Sequence, residues 1–255
     1  MEPVEQEEND DPEKKKQNPQ DLEQQAKPQI AFNKASVRAA FVRKVFVIVT
    51  IMILVVTVMV TPVVIVEKIR LQITQNSWIY WIALVVFFAT YITLVCCRCV
   101  ARCFPCNILM LAVFTLASGL MLAVLCSRVP PHTVLLALAT TTLSCAAIIA
   151  FASQTKCDIT SKIFIVYAAT VAVFIFGLIL AIMSFFIYIK ALHVIFSAVV
   201  CVLFMIWLAI DTQMIVGGKK YEISPEDYIY AALTLFIDIY QIFISLMSLF
   251  NAANN

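Results

Sequence analysis

The chain opens on a polar stretch, residues 1–33, and then alternates long apolar runs with short polar breaks. The apolar runs lie near 46–66, 78–96, 107–126, 133–153, 163–186, 192–216 and 228–250. Each is long enough to cross roughly 30 Å of hydrocarbon at about 1.5 Å of helix rise per residue. A backbone facing lipid must satisfy its own hydrogen bonds, so the runs are predicted as helices. Pro105 and the pair Pro130–Pro131 mark loops, and Pro62 falls near the end of the first run, where a kink is tolerable. Trp78, Tyr80 and Trp81 sit where an aromatic interface belt belongs. The predicted fold class is an all-α integral membrane protein, a bundle of seven transmembrane helices.

Composition supports this reading. The chain of 255 residues is 62% hydrophobic and 13% charged, whereas a soluble domain is about half apolar and a quarter charged. The net charge of +2 is unevenly spread: residues 1–33 hold nine acids against four lysines, and the remainder holds fourteen Lys/Arg against seven acids. The tail is too poor in large apolar residues to offset its ordering entropy. Residues 1–33 are therefore expected to be a disordered acidic tail and residues 34–255 the membrane domain. The tail is not expected to be a signal peptide, because the first apolar run comes late and is long.

Basic residues set the expected orientation. Lys34, Arg38, Arg43, Lys44, Arg98, Arg102, Lys156, Lys162, Lys219 and Lys220 collect on the N-terminal face, against Lys68, Arg70, Arg128 and Lys190 opposite. That bias places the N-terminus in the cytosol. With only four glycines in the chain, close helix contacts are expected to use Ala, Ser, Thr and Cys, above all in the run Ala137–Ala147.

The chemistry narrows to two residues. Of the seven acids beyond the tail, only Asp211 and Asp238 lie inside apolar runs. Each costs roughly 2.5–3.5 kcal/mol to insert at a helix centre, and such residues usually face a cavity or a partner. They belong to one hairpin. The sixth span stops at Gly217–Gly218, and the seventh starts at Ser224–Pro225–Glu226–Asp227, which has the spacing of an N-cap and capping box. Helix rise puts Asp211 roughly 9 Å from its helix end and Asp238 roughly 21 Å from its helix start, a mismatch in depth of about 12 Å for flush ends. Spacing alone thus leaves pairing open. If paired, two carboxylates in low dielectric cannot both ionise easily and share a proton. Deprotonation would add repulsion and leave oxygen ligands suited to a hard cation such as calcium. The plainer alternative bonds each Asp to a nearby Ser, Thr or backbone group.

The cysteines Cys96, Cys97, Cys99, Cys103 and Cys106 crowd the N-terminal-face interface. Reduced thiols are expected, with juxtamembrane lipidation as the candidate modification. A zinc site lacks a second CxxC and a matching His.

Three segments carry a family resemblance: AIDTQMIVGGKKYEISPEDYIYAALTLFIDIYQIF at Ala209–Phe243, ASVRAAFVRKVF at Ala35–Phe46, and FASQTKCDITS at Phe151–Ser161. Together they resemble the transmembrane Bax-inhibitor-motif family, most of all its Lifeguard (glutamate-receptor-associated) branch. The resemblance covers nearly everything after residue 34. It implies a seven-helix fold with the last helix central, calcium leak across Golgi, endoplasmic-reticulum or related membranes, and restraint of cell death. It also implies that Asp211 and Asp238 are the family's paired aspartates, serving ion conduction and pH sensing, with calcium the permeant ion and no other cofactor. The tail here is short and acidic, where Lifeguard proteins often carry a long Pro/Gly/Tyr-rich region, so tail-dependent partners do not carry over. Two competing readings remain: a non-conducting scaffold for death-pathway or receptor membrane proteins, and an intramembrane aspartyl protease. The protease reading lacks the Gly-x-Gly-Asp motif, since Leu235–Phe236–Ile237 precede Asp238. Neither an enzymatic activity nor a nucleic-acid partner is expected.

Overall fold

The computed structural model describes residues 19–76, 78–187 and 189–254, with the side chains of 19–34, Arg98 and Asn254 outside that description. The chain forms α1 (Pro19–Ile65), α2 (Glu67–Gln75), α3 (Trp78–Cys96), α4 (Arg98–Arg102), α5 (Cys106–Ser127), α6 (Pro131–Gln154), α7 (Ile163–Met183), α8 (Lys190–Val216) and α9 (Tyr228–Asn254). Short 3₁₀ turns at Thr160–Lys162 and Pro225–Asp227 lead into α7 and α9. Among the described residues seven helices are long and apolar enough to cross a membrane, and they correspond one to one with the predicted runs. Of the tail expected to be disordered, residues 1–18 lie outside the described residues, and 19–33 enter only as helical backbone of α1.

Hydroxyl groups within the spans bond back to their own helices, which spares them an unpaired proton in hydrocarbon. Thr50, Thr57 and Thr61 of α1 donate to the carbonyls of Phe46, Ile53 and Thr57 at 2.7–2.8 Å. Trp78 and Trp81 are exposed at the start of α3.

The last helix is central. It packs against α1, α5, α6 and α8 at once, and Ile229, Ala231, Ala232, Leu233, Leu235 and Ile242 are closed off from the surface. By contrast α7 is peripheral, with Leu180 its one buried residue. The expected small-residue seam on α6 is real but narrow. Ala137, Thr141 and Cys145 are buried at one-turn spacing, while Leu138 and Leu143 between them face outward. The expectation that glycine would not serve at helix contacts is corrected. Gly119 admits Met59 of α1 and Gly177 admits Phe196 of α8, each so close that an added Cβ would stand 2.5–2.7 Å from that side chain.

α8 stops where the glycine pair predicts, with Gly217 at φ +83° and Gly218 at φ +76°. The predicted cap of the last helix is not made by side chains. Ser224 forms no side-chain cap bond; instead the Asp227 amide donates to the Ser224 carbonyl at 2.9 Å. The Asp227 carboxylate is held by the Arg102 guanidinium at 2.8 and 3.0 Å. A bidentate, charge-assisted pair outcompetes a neutral cap for the same carboxylate.

Gly217 is constrained twice, by a backbone conformation that L side chains rarely adopt and by the Arg38 Nε that would lie 2.7 Å from any Cβ. Gly217→Ala is expected to cost about 1–3 kcal/mol. Gly218→Ala, with nothing within 4 Å of its Cβ, is expected to cost less. Thermal unfolding in detergent should rank wild type above Gly218→Ala above Gly217→Ala; equal midpoints for the two variants would discount the Arg38 contact.

Candidate functional site: a buried carboxyl pair beneath a bonded roof

Asp211 sits in the penultimate turn of α8, flanked by Leu208, Ile210, Thr212 and Gln213, all essentially inaccessible. Asp238 sits midway along α9. The structure brings them together: the two carboxyl groups lie within hydrogen-bonding reach of each other, and Asp211 is also within reach of the Thr234 hydroxyl. That hydroxyl stands 3.3 Å from the Ala231 carbonyl, so its single proton serves one acceptor or the other. Both carboxyls are buried, at 7% and 5% exposure for Asp211 and Asp238. Asp238 Oδ2 has no hydrogen-bond partner. Tyr91 of α3, Cys145 of α6 and Tyr230 of α9 lie within electrostatic reach of the pair.

The depth mismatch computed from helix rise counts Cα positions only. Every Cα–Cβ bond tilts toward its own helix N-terminus. In an antiparallel hairpin Asp211 therefore leans deeper and Asp238 leans back toward the link, so the carboxyls approach more closely than the Cα levels suggest.

Above the pair, four polar residues bind the chain segments of the N-terminal face into a roof. Arg38 of α1 donates from Nε to the Val216 carbonyl at 3.2 Å, from Nη1 to the Ile223 carbonyl at 2.8 Å, and from Nη2 to the Met214 carbonyl. Two of these acceptors belong to the last turn of α8, whose carbonyls have no helical partner. Glu222 adds an ion pair to Arg38 at 3.6 Å. Gln213 clamps the α6–α7 loop: its Nε2 donates to the Cys157 carbonyl and its Oε1 accepts from the Ile159 amide, both at 2.9 Å. Asp158 accepts from the Thr160 hydroxyl at 2.6 Å and from the Lys220 amide at 3.1 Å, which ties that loop to the α8–α9 link. Arg102 reaches Glu226 at 3.1 Å as well as Asp227, and so pins α4 to the start of α9.

Sequence reasoning singled out none of Arg38, Gln213 or Asp158 as site residues. Their signal was present all the same, because each falls inside one of the three segments that carry the family resemblance. The five interfacial cysteines are exposed, and none is joined in a disulfide. Among the described residues no group of three or more His, Cys, Asp or Glu is placed to hold a metal ion.

The hydrogen bond from Thr160, helped by the Lys220 and Ser161 amides, holds the Asp158 carboxyl below the usual carboxylate range. A depressed folded-state value contributes stability above the ordinary carboxylate range, and that contribution is lost as pH falls through the folded value. Hydrogen exchange at the Lys220 and Ser161 amides, corrected for intrinsic rates, should therefore accelerate in acid. Asp158→Asn should exchange faster already at neutral pH, and protection equal to wild type would show that the carboxylate does not hold the loop.

The chain is similar in sequence to known proteins over most of its length. Human protein lifeguard 3 is 33% identical over 218 residues, covering 86% of this chain and 70% of that protein. Mouse protein lifeguard 3 is 33% identical over 213 residues, covering 84% and 69%. The Golgi anti-apoptotic protein of vaccinia virus (strain Lister) is 27% identical over 150 residues, 59% of this chain and 60% of the viral one. The family profile described as inhibitor of apoptosis-promoting Bax1 matches residues 38–255, from the Arg38 that holds the roof to the end of the central helix. A multi-pass membrane protein of seven helical spans, this chain belongs to the Bax inhibitor family.

Proposed function

We propose that the protein is a proton-sensitive, calcium-permeable leak of Golgi or endoplasmic-reticulum membranes that restrains apoptosis, with Asp211 and Asp238 as its gate. The observation that carries the reading is a pair of buried carboxyls in mutual contact, one oxygen of which has no partner. A buried acceptor without a donor costs about 1–3 kcal/mol, more if charged. One proton shared between the two carboxyls relieves both that cost and their mutual repulsion. The arrangement described is then the protonated, closed one. Loss of the proton leaves two like charges in low dielectric, which pushes α8 and α9 apart. The separated carboxylates offer up to four oxygens to a hard cation, with water or carbonyl groups completing its shell.

The relatives' names support the wider role. Two are called lifeguard and one a Golgi anti-apoptotic protein, in keeping with an anti-apoptotic function in an endomembrane. Under this proposal the roof face, rich in Lys and Arg, is cytosolic.

The test is calcium flux from vesicles reconstituted with the full chain. Wild-type flux should rise with pH as the shared proton leaves. Asp238→Asn and Asp211→Asn, which cannot ionise at the altered position, should flatten that dependence. Flux that follows wild type across the pH range in both variants would remove the aspartate gate. If the double Asp→Asn variant, expressed in cells, still protects them from death, the protective role belongs to a scaffold and not to conduction.

A further inference from the structure

A second feature of the bundle lies on its outer surface, away from the carboxyl pair. α1 and α5 run in the same direction and meet closely where Met59 packs on Gly119. Toward the roof face an open groove of ≈ 920 Å³ lies along α1 and α5, beside the start of α9. Its walls are apolar: Ile48, Met52 and Val55 from α1, and Ile108, Ala112 and Leu116 from α5. At its mouth stand two cations of α1, Arg43 and Lys44, with Tyr228 and Phe104 beside them.

Neither cation has a carboxylate partner among the described residues, since Glu226 and Asp227 are taken by Arg102. Lys44 rests its ammonium 3.2 Å from the centroid of the Tyr228 ring, which leaves its charge uncompensated by any anion. Arg43 is exposed. From Arg43 to Val55 the helix rises about 18 Å, close to the depth of one leaflet, about half of a ~30 Å hydrocarbon core. The groove thus offers positive charge at the interface and an apolar trough one leaflet deep. That matches an anionic phospholipid in both charge and length.

We propose that the α1–α5 groove is a binding site for an anionic phospholipid, with the headgroup phosphate on Arg43 and Lys44 and an acyl chain laid along Ile48, Met52, Ala112 and Leu116. Tyr228, beneath the Lys44 ammonium, is the first residue of the central helix, so headgroup binding bears directly on the start of α9. The site is separate from the carboxyl pair and does not depend on the proposed leak.

The full chain, purified in a neutral maltoside, is exposed to phosphatidylglycerol or phosphatidylcholine with the same acyl chains, and retained lipid is counted by native mass spectrometry. Wild type should retain phosphatidylglycerol in preference. The Arg43→Gln/Lys44→Gln variant should lose that preference on the order of tenfold, the scale set by two basic contacts to an anionic headgroup. Arg43→Lys should keep it. Ala112→Phe, which fills the trough and leaves the cations in place, should lower retention of both lipids. Equal retention of the two lipids by wild type overturns the proposal without recourse to any variant. An undiminished preference in the double Gln variant, or undiminished retention in Ala112→Phe, overturns it as well.

Discussion

Two carboxylic acids held against each other inside a hydrocarbon slab are the constraint around which this fold is arranged. Neither is compatible with lipid, and each would be costly alone. The chain contains them by putting one on the central helix and the other on that helix's hairpin partner. α9 is surrounded by α1, α5, α6 and α8, so Asp238 never meets lipid, and Asp211 faces inward from a turn of α8 whose neighbours are fully buried. The compensation is incomplete, because one oxygen of Asp238 lacks a donor. In a low-dielectric interior a partly satisfied polar pair is costly.

The roof follows from the same constraint. A hairpin whose helices must hold two acids in register needs its link fixed, and the link here is short, polar and bent through two glycines of positive φ. Arg38 fixes it from outside the hairpin by donating to three backbone carbonyls. Asp158 fixes it from the α6–α7 loop, which Gln213 of α8 holds in place, and Arg102 fixes it from α4. Fixed arginine, glutamine and aspartate side chains at one membrane face therefore link α1, α4, the α6–α7 loop and the α8–α9 hairpin. A change in spacing between α8 and α9 must be met by movement in these contacts, which joins the acid pair mechanically to the interface.

Much of the site was legible in the sequence, but unevenly. The two intramembrane acids stood out because nothing else charged lay inside an apolar run, and the glycine pair marked the end of α8 correctly. Side-chain capping at Ser224 failed because Asp227 has a stronger, nonlocal partner in Arg102. The depth argument against pairing treated side chains as though they projected straight out of each helix. Arg38 was read only as a charge that orients the chain, since nothing local distinguishes an arginine that faces lipid headgroups from one that seats on a helix end 176 residues away.

By itself, the sequence determined that this chain lives in a bilayer, that it carries seven long apolar helices, where each helix ends, and which two residues are out of place in oil. These are local properties: run length, the cost of charge, and the backbone freedom of glycine act within a turn or two of their own position. Tertiary structure alone decided that the two acids meet, that the last helix lies at the centre, that only one stripe of the Ala137–Ala147 run is buried, and that Arg38, Gln213 and Asp158 converge on one link. Each of those outcomes depends on which faces of distant helices touch. Inside a membrane that choice is made by packing and by pairing of polar groups, because lipid tails are as apolar as the helices themselves.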